Sequence, residues 1–222
     1  MRAVLDRVKV RWRMKGVANT AGLAAFFIAY FWILNHPQFE VTQMPVTAVD
    51  YWIPHVPAAI VPYATLWVYL SLPLALMTRS AEFRSFGVAA FTLSVAGLAC
   101  FYLWPTAVPV VAGWSPNAAD SLLRNVDGGR NACPSLHVAF AVFSWVWLRR
   151  LVADMGGPAW VRFGNAFWCL AITLSTLATR QHVVLDVVAG AALGAAVAAL
   201  NMQWLRRSSH GSFMRYRSPG TS

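Results

Sequence analysis

This chain has little charge. Asp, Glu, Lys and Arg make up 12% of its 222 residues, against 58% hydrophobic residues and 11 tryptophans. Folded in water, that composition would leave large apolar patches exposed, so a soluble domain is excluded. Acid is scarcer still, with 8 Asp and Glu against 18 Lys and Arg. Cysteine is nearly absent. Cys100, Cys133 and Cys169 form no disulfide framework, and because Cys100 and Cys169 sit at different depths of apolar runs, a zinc cluster is not expected either.

What the chain does have is long apolar runs. Six of them, at 17–34, 58–77, 86–104, 136–151, 160–178 and 183–204, approach the roughly 20 residues that a helix needs to cross a bilayer. The expected fold is therefore all-α: a polytopic membrane protein whose six transmembrane helices form one bundle over 17–204. Basic tails at 1–16 and 205–222 flank it. Of the 18 basic residues, six lie in the first tail, two at 78–85, three at 149–162 and four in the last tail, while the alternate connections hold three in all. This positive-inside pattern predicts cytoplasmic termini in a cell (inner) membrane, and it accounts for the net charge of +10 without a nucleic-acid partner. The first run resembles a signal peptide in charge only, being too long and lacking a cleavage site, and reads as a retained anchor. Pro62 and Pro73 are expected to kink the second span.

Three cations break the pattern. Arg124, Arg130 and Arg180 lie on the outer side, where topology does not ask for them. The outer loop at 35–57, with His36, Trp52 and His55, reads as interfacial packing. The outer segment at 105–135, which carries Trp114 and the turn residues Asp127-Gly-Gly129, is longer than a mere connection. It delivers Arg130-Asn-Ala-Cys-Pro-Ser-Leu-His137, in which Pro134 and Ser135 suit a helix start, so that a helix beginning near Leu136 points unsatisfied N–H groups outward beside arginine. The second polar stretch is Thr179-Arg-Gln-His-Val-Val-Leu-Asp186. Four residues apart, His182 and Asp186 share a face if the segment is helical, and the carboxylate orients the imidazole. A helical hairpin separates His137 from His182, which brings both to the same membrane face. The small-residue series at 189–196 predicts close helix packing.

Two histidines, an acid, a serine and arginines at one end of a bundle suit phosphoryl transfer. Arginines and helix N–H groups hold the non-bridging oxygens, one histidine attacks phosphorus and the other protonates the leaving oxygen. This chemistry calls for neither metal nor cofactor.

Cys-Pro-Ser-Leu-His137 together with Ser175-Thr-Leu-Ala-Thr-Arg-Gln-His-Val-Val-Leu-Asp186 resembles the second and third motifs of the type 2 phosphatidic acid phosphatase superfamily, most closely its branch similar to inositol phosphorylceramide synthases. The resemblance implies a metal-independent membrane enzyme with six spans. It would hydrolyse a lipid phosphate or diphosphate at the extracytoplasmic face through a phosphohistidine, or alternatively transfer a phospho-headgroup between lipids. It assigns the nucleophile to His182, the orienting acid to Asp186, the leaving-group acid to His137 and a phosphate contact to Ser135. The chain departs from the family at three places: the first motif is absent after span three, Leu136 replaces a glycine, and Thr176 stands where an arginine is expected. Arg130 and Arg180 are the expected replacements for the missing phosphate-binding charge.

Overall fold

The computed structural model describes residues 2–109 and 130–215. The remainder of the long outer segment, with Arg124, Trp114 and Asp127-Gly-Gly129, lies outside the described residues. Among the described residues, six helices are long and apolar enough to cross a membrane: Trp12–Asn35, Pro57–Leu76, Ser80–Leu103, Leu136–Asp154, Ala159–Ala178 and Val184–Arg207. The chain is thus the multi-pass helical membrane protein expected from its apolar runs.

In chain order, α1 (Arg2–Lys9) leads through Arg11 into α2 (Trp12–Asn35). A short α3 (Ala48–Trp52) follows in the loop after α2, the first of those expected on the outer side. The second span is a composite of the 3-10 turn Pro57–Ala59, α4 (Ile60–Ala64) and α5 (Leu66–Leu76). It breaks at Thr65, whose hydroxyl donates to the Pro62 carbonyl at 2.7 Å, while Pro73 is carried inside α5. Then come α6 (Ser80–Leu103), α7 (Leu136–Asp154), α8 (Ala159–Ala178) and α9 (Val184–Arg215). Helix α6 starts six residues before the apolar run because Glu82, buried in its first turn, meets Arg150 of α7 at 3.4 Å. Helix α9 likewise outlasts its apolar run and continues through the basic residues to Arg215.

Helix α7 is the axis of the bundle. Val138, Ala139, Ala141, Phe143, Trp147 and Leu151 are fully enclosed, and Leu66, Leu93, Phe101 and Ile172 pack into the same core from the surrounding helices. The outward faces of those helices stay apolar, with Val68, Phe91, Phe163 and Val188 exposed as lipid-facing side chains are.

Apolar burial drives little helix association in lipid, so close backbone approach must do more of that work. Helix α9 supplies it through Gly190 and Gly194. A Cβ at Gly190 would overlap the Ser135 carbonyl, and one at Gly194 the Ala139 carbonyl, so the two helices meet backbone to backbone at the small-residue stripe. Gly190→Ala is expected to push α9 off the start of α7, lowering the thermal midpoint in detergent and the yield of folded protein, consistent with the roughly 1–3 kcal/mol cost of overpacking. Gly164→Ala, where a Cβ meets open space, is the matched control and should change neither.

At the end of the bundle where α6 stops and α7 starts, β1 (Thr42–Gln43) pairs in parallel with β2 (Thr106–Ala107), and Arg130 bridges Ala107 in the antiparallel sense. The buried Thr106 ties down the next residues: its carbonyl accepts from the Ala132 N–H at 3.3 Å and its hydroxyl from the Cys133 N–H at 2.8 Å. The chain entering α7 is therefore anchored to the first outer loop and to the end of α6.

Candidate active site

Helix α7 begins at Leu136, as Pro134 and Ser135 predict. Ser135 is the N-cap, and its hydroxyl accepts from the Val138 N–H at 3.4 Å. His137 falls in the first turn. Its ring stacks on Tyr63 at 4.0 Å between centroids and meets the edge of Trp67 at 5.6 Å, which fixes the imidazole plane. Nε2 is buried with no hydrogen-bond partner among the described residues, so the stacked ring keeps a free nitrogen.

The His182 turn is built by the end of α8. The Thr176 carbonyl accepts from both Gln181 and His182 N–H groups, at 3.1 and 3.2 Å, and Arg180 N–H donates to Leu177 O at 3.0 Å. This is a Schellman closure, in which the residue after the cap takes the left-handed conformation. Arg180 occupies that place, with φ 57°, where glycine is the usual choice. Its side chain offsets the strain. The guanidinium donates to the carbonyls of Asp50 at 2.8 Å and Ile53 at 2.6 Å, ending α3. Burial draws its pKa down, and the neighbouring Asp50 charge opposes that.

Asp50 completes the clamp. Its carboxylate accepts from the Thr47 N–H and hydroxyl, both at 2.7 Å, and from the Val184 N–H at 2.8 Å. One buried acid therefore starts both α3 and α9. The loop at 35–57, expected from sequence to pack at the interface, also holds the His182 turn. Thr47-Ala-Val-Asp50 has the spacing of a capping box, which is the signal that would have drawn attention to it.

His182 itself lies in the turn before α9, not on a shared helix face with Asp186. The pairing survives the change. Asp186, fully buried in the first turn, accepts from the Val183 N–H at 3.0 Å and faces His182 Nδ1 at 3.5 Å, slightly beyond a good hydrogen bond. Nδ1 is thereby turned to the acid, and Nε2 is the nitrogen left for chemistry. The Asp186 carbonyl also accepts from the Ser135 N–H at 3.0 Å, a direct tie between the two motif stretches.

Both histidines open on one cavity of about 270 Å³. Arg130, Asn131, His137, Gln181 and His182 are its polar lining, and the rest is mostly aromatic residues of α2, α4, α5, α6 and α7, among them Phe26, Tyr30, Trp67 and Phe140, with Leu66 and Leu136. Of the residues expected at the site, the structure brings Arg130, His137 and His182 to this cavity, with Asp186 behind His182. Ser135 and Arg180 are not among its walls: the Ser135 hydroxyl caps α7 and the Arg180 guanidinium points to the first outer loop. Asn131, Gln181 and Tyr63, which the sequence did not single out, do line it. Cys133 is close by, but burial first, and the Asp186 and Cys100 charges after it, push its thiol up to about 11, too high for a ready nucleophile.

A helical bundle with a histidine-lined cavity at one end of its spans defines the class. The PAP2 superfamily model matches residues 31–200, and the chain belongs to that superfamily, whose members are phosphatases or phosphotransferases. No curated protein and no solved structure matches the chain.

Proposed function

We propose that the protein is an integral-membrane lipid phosphatase, hydrolysing a lipid phosphate or diphosphate at the extracytoplasmic face through a phosphohistidine. The observation that carries this reading is that His137 and His182 open, together with Arg130, on one cavity whose apolar walls are mostly aromatic. His182 Nε2 attacks phosphorus while Asp186 stabilises the positive charge that develops on the imidazole. The bond from phosphorus to the leaving oxygen breaks, the lipid oxygen of a monophosphate or the bridging oxygen of a diphosphate, and His137 gives that oxygen a proton. Water then attacks phosphorus as His137 takes a proton from it; the phosphorus–nitrogen bond breaks, and phosphate leaves with His182 restored. Arg130 balances charge on the non-bridging oxygens. The scarcity of basic residues in the connections on this side supports the extracytoplasmic placement.

A lipid substrate also needs room for its chain. Phe26, Trp67 and Phe140 border both the histidine cavity and a second, apolar cavity of about 390 Å³ between α2, α5 and α6. In this reading the phosphate sits at the histidines and the hydrocarbon passes those three rings. Gly22 and Gly87 line the apolar cavity and face open space. Leucine at either position is expected to cut kcat/KM for long-chain lipid phosphates at least tenfold while sparing a short-chain, water-soluble phosphate. Equal losses on both substrates would place the chain elsewhere.

The Pro-Ser-Leu-His form of the second motif supports a second reading, transfer of the phosphoryl-bearing headgroup to a lipid alcohol. Leu136 lines the cavity and fits there because Gly97 leaves it space. The two readings separate when purified protein in detergent is given a panel of lipid phosphates and diphosphates, with and without a lipid alcohol, and both free phosphate and new phospholipid are measured. Hydrolysis releases phosphate without an alcohol. New phospholipid with little free phosphate selects transfer, and neither product on any member of the panel removes both.

A further inference from the structure

The residue that the site leaves unexplained is Asn131. It is 6% exposed, lines the cavity beside both histidines, and its side-chain Nδ2 is buried with no hydrogen-bond partner among the described residues. A buried amide N–H2 group is normally satisfied, so one left open in the polar lining of a cavity is a donor awaiting an acceptor. Gln181, the other amide there, is already engaged, its Nε2 donating to the Thr179 carbonyl at 3.4 Å. The backbone holds Asn131 in place on both sides, through the Arg130 bridge to Ala107 and the Ala132 N–H bond to Thr106.

We propose that the Asn131 side-chain amide donates to a non-bridging oxygen of the phosphoryl group carried by His182, next to the charge of Arg130. The inference rests on the phosphohistidine reading of the site. A neutral donor already in position needs no reorganisation as negative charge builds on that oxygen, and the enclosed aromatic setting strengthens the bond it makes. This gives a chain with Thr176 in place of an arginine another contact to the phosphoryl oxygens.

Asn131 also has a purely conformational use, since its φ of 55° is a left-handed conformation that asparagine tolerates better than most residues. The two roles separate in two variants. Asn131→Gly keeps the left-handed freedom and removes the amide; Asn131→Asp keeps the size and replaces the donor with a negative charge. Each is measured in the full chain for kcat, KM and inhibition by orthovanadate, which mimics phosphorus under attack, with His182→Ala as reference. The expected result is a loss of about 100-fold in kcat for Asn131→Gly, in line with removal of one oxyanion donor, a larger loss for Asn131→Asp, and weaker vanadate inhibition in both. Asn131→Gly within twofold of the parent in kcat and vanadate inhibition overturns the proposal, and so does a glycine loss that leaves vanadate inhibition untouched. Should the glycine variant fail to fold, Asn131→Asp decides by the same two readouts. A dead His182→Ala with a fully active Asn131→Gly removes this inference alone, whereas an active His182→Ala removes the reading beneath it as well.

Discussion

His182→Ala is expected to be inactive on every lipid phosphate and to take up no phosphate covalently, although it inserts and folds as the parent does. The His182 side chain is mostly buried but no hydrophobic cluster depends on it, and its backbone N–H bond to Thr176 does not need the imidazole. Quenched during turnover, the parent should carry acid-labile, base-stable phosphate on this histidine. His137 differs in kind, because its ring is stacked between Tyr63 and Trp67 and its removal costs packing as well as a proton donor. His137→Phe keeps the stack. It should lower turnover by roughly 10²–10⁴-fold on alkyl phosphates, the usual worth of a general acid. An aryl phosphate whose phenolate departs unaided should recover most of that loss. A His182→Ala protein that still turns over, or still captures phosphate, removes the mechanism.

The second large effect separates the two outer arginines. Arg130→Ala should cost roughly 2–4 kcal/mol of transition-state stabilisation, comparable to losing an oxyanion donor, while the thermal midpoint holds. Lysine at 130 should restore only part, since an ammonium lacks the paired donors of a guanidinium. Arg180→Ala should lower activity by another route. It loses both carbonyl contacts to the first outer loop and leaves alanine in a left-handed conformation, so the midpoint falls together with kcat. Arg180→Gly accepts that backbone and should recover part of the stability but not the clamp. A stable Arg180→Ala with weakened vanadate inhibition would mean that this guanidinium reaches the phosphoryl group after all, as its position two residues before His182 suggests.

The spans were readable because lipid imposes length and hydropathy on each helix separately, and no partner is needed to see either. Ser135 as the start of α7 and the Gly190–Gly194 stripe were equally local, the first a capping preference and the second a requirement for backbone approach. Where Arg180 points was not local. Its backbone is set by the closure on Thr176, but its guanidinium follows carbonyls 130 and 127 positions away, and nothing near it in sequence names them. Asp50 was obscured for the same reason, since its second partner, the Val184 N–H, lies 134 positions further on. Asn131 looked like a neighbour of Arg130. Only its burial and its left-handed backbone mark it as more.

The Asp50 clamp also sets an order of assembly. One carboxylate from the first outer loop waits for an N–H that arrives with the last span, and the Ser135 N–H waits for a carbonyl on that same span. A growing chain that has just completed the turn after α8 already contains His137 and His182, yet it lacks the groups that hold the second of them: Val184 for Asp50, Asp186 for the imidazole, and Gly190 against the start of α7. The nascent protein therefore has its histidines present and the candidate site unmade. Insertion of α9 brings all three groups at once, so the step that finishes the membrane topology is also the step that finishes the site.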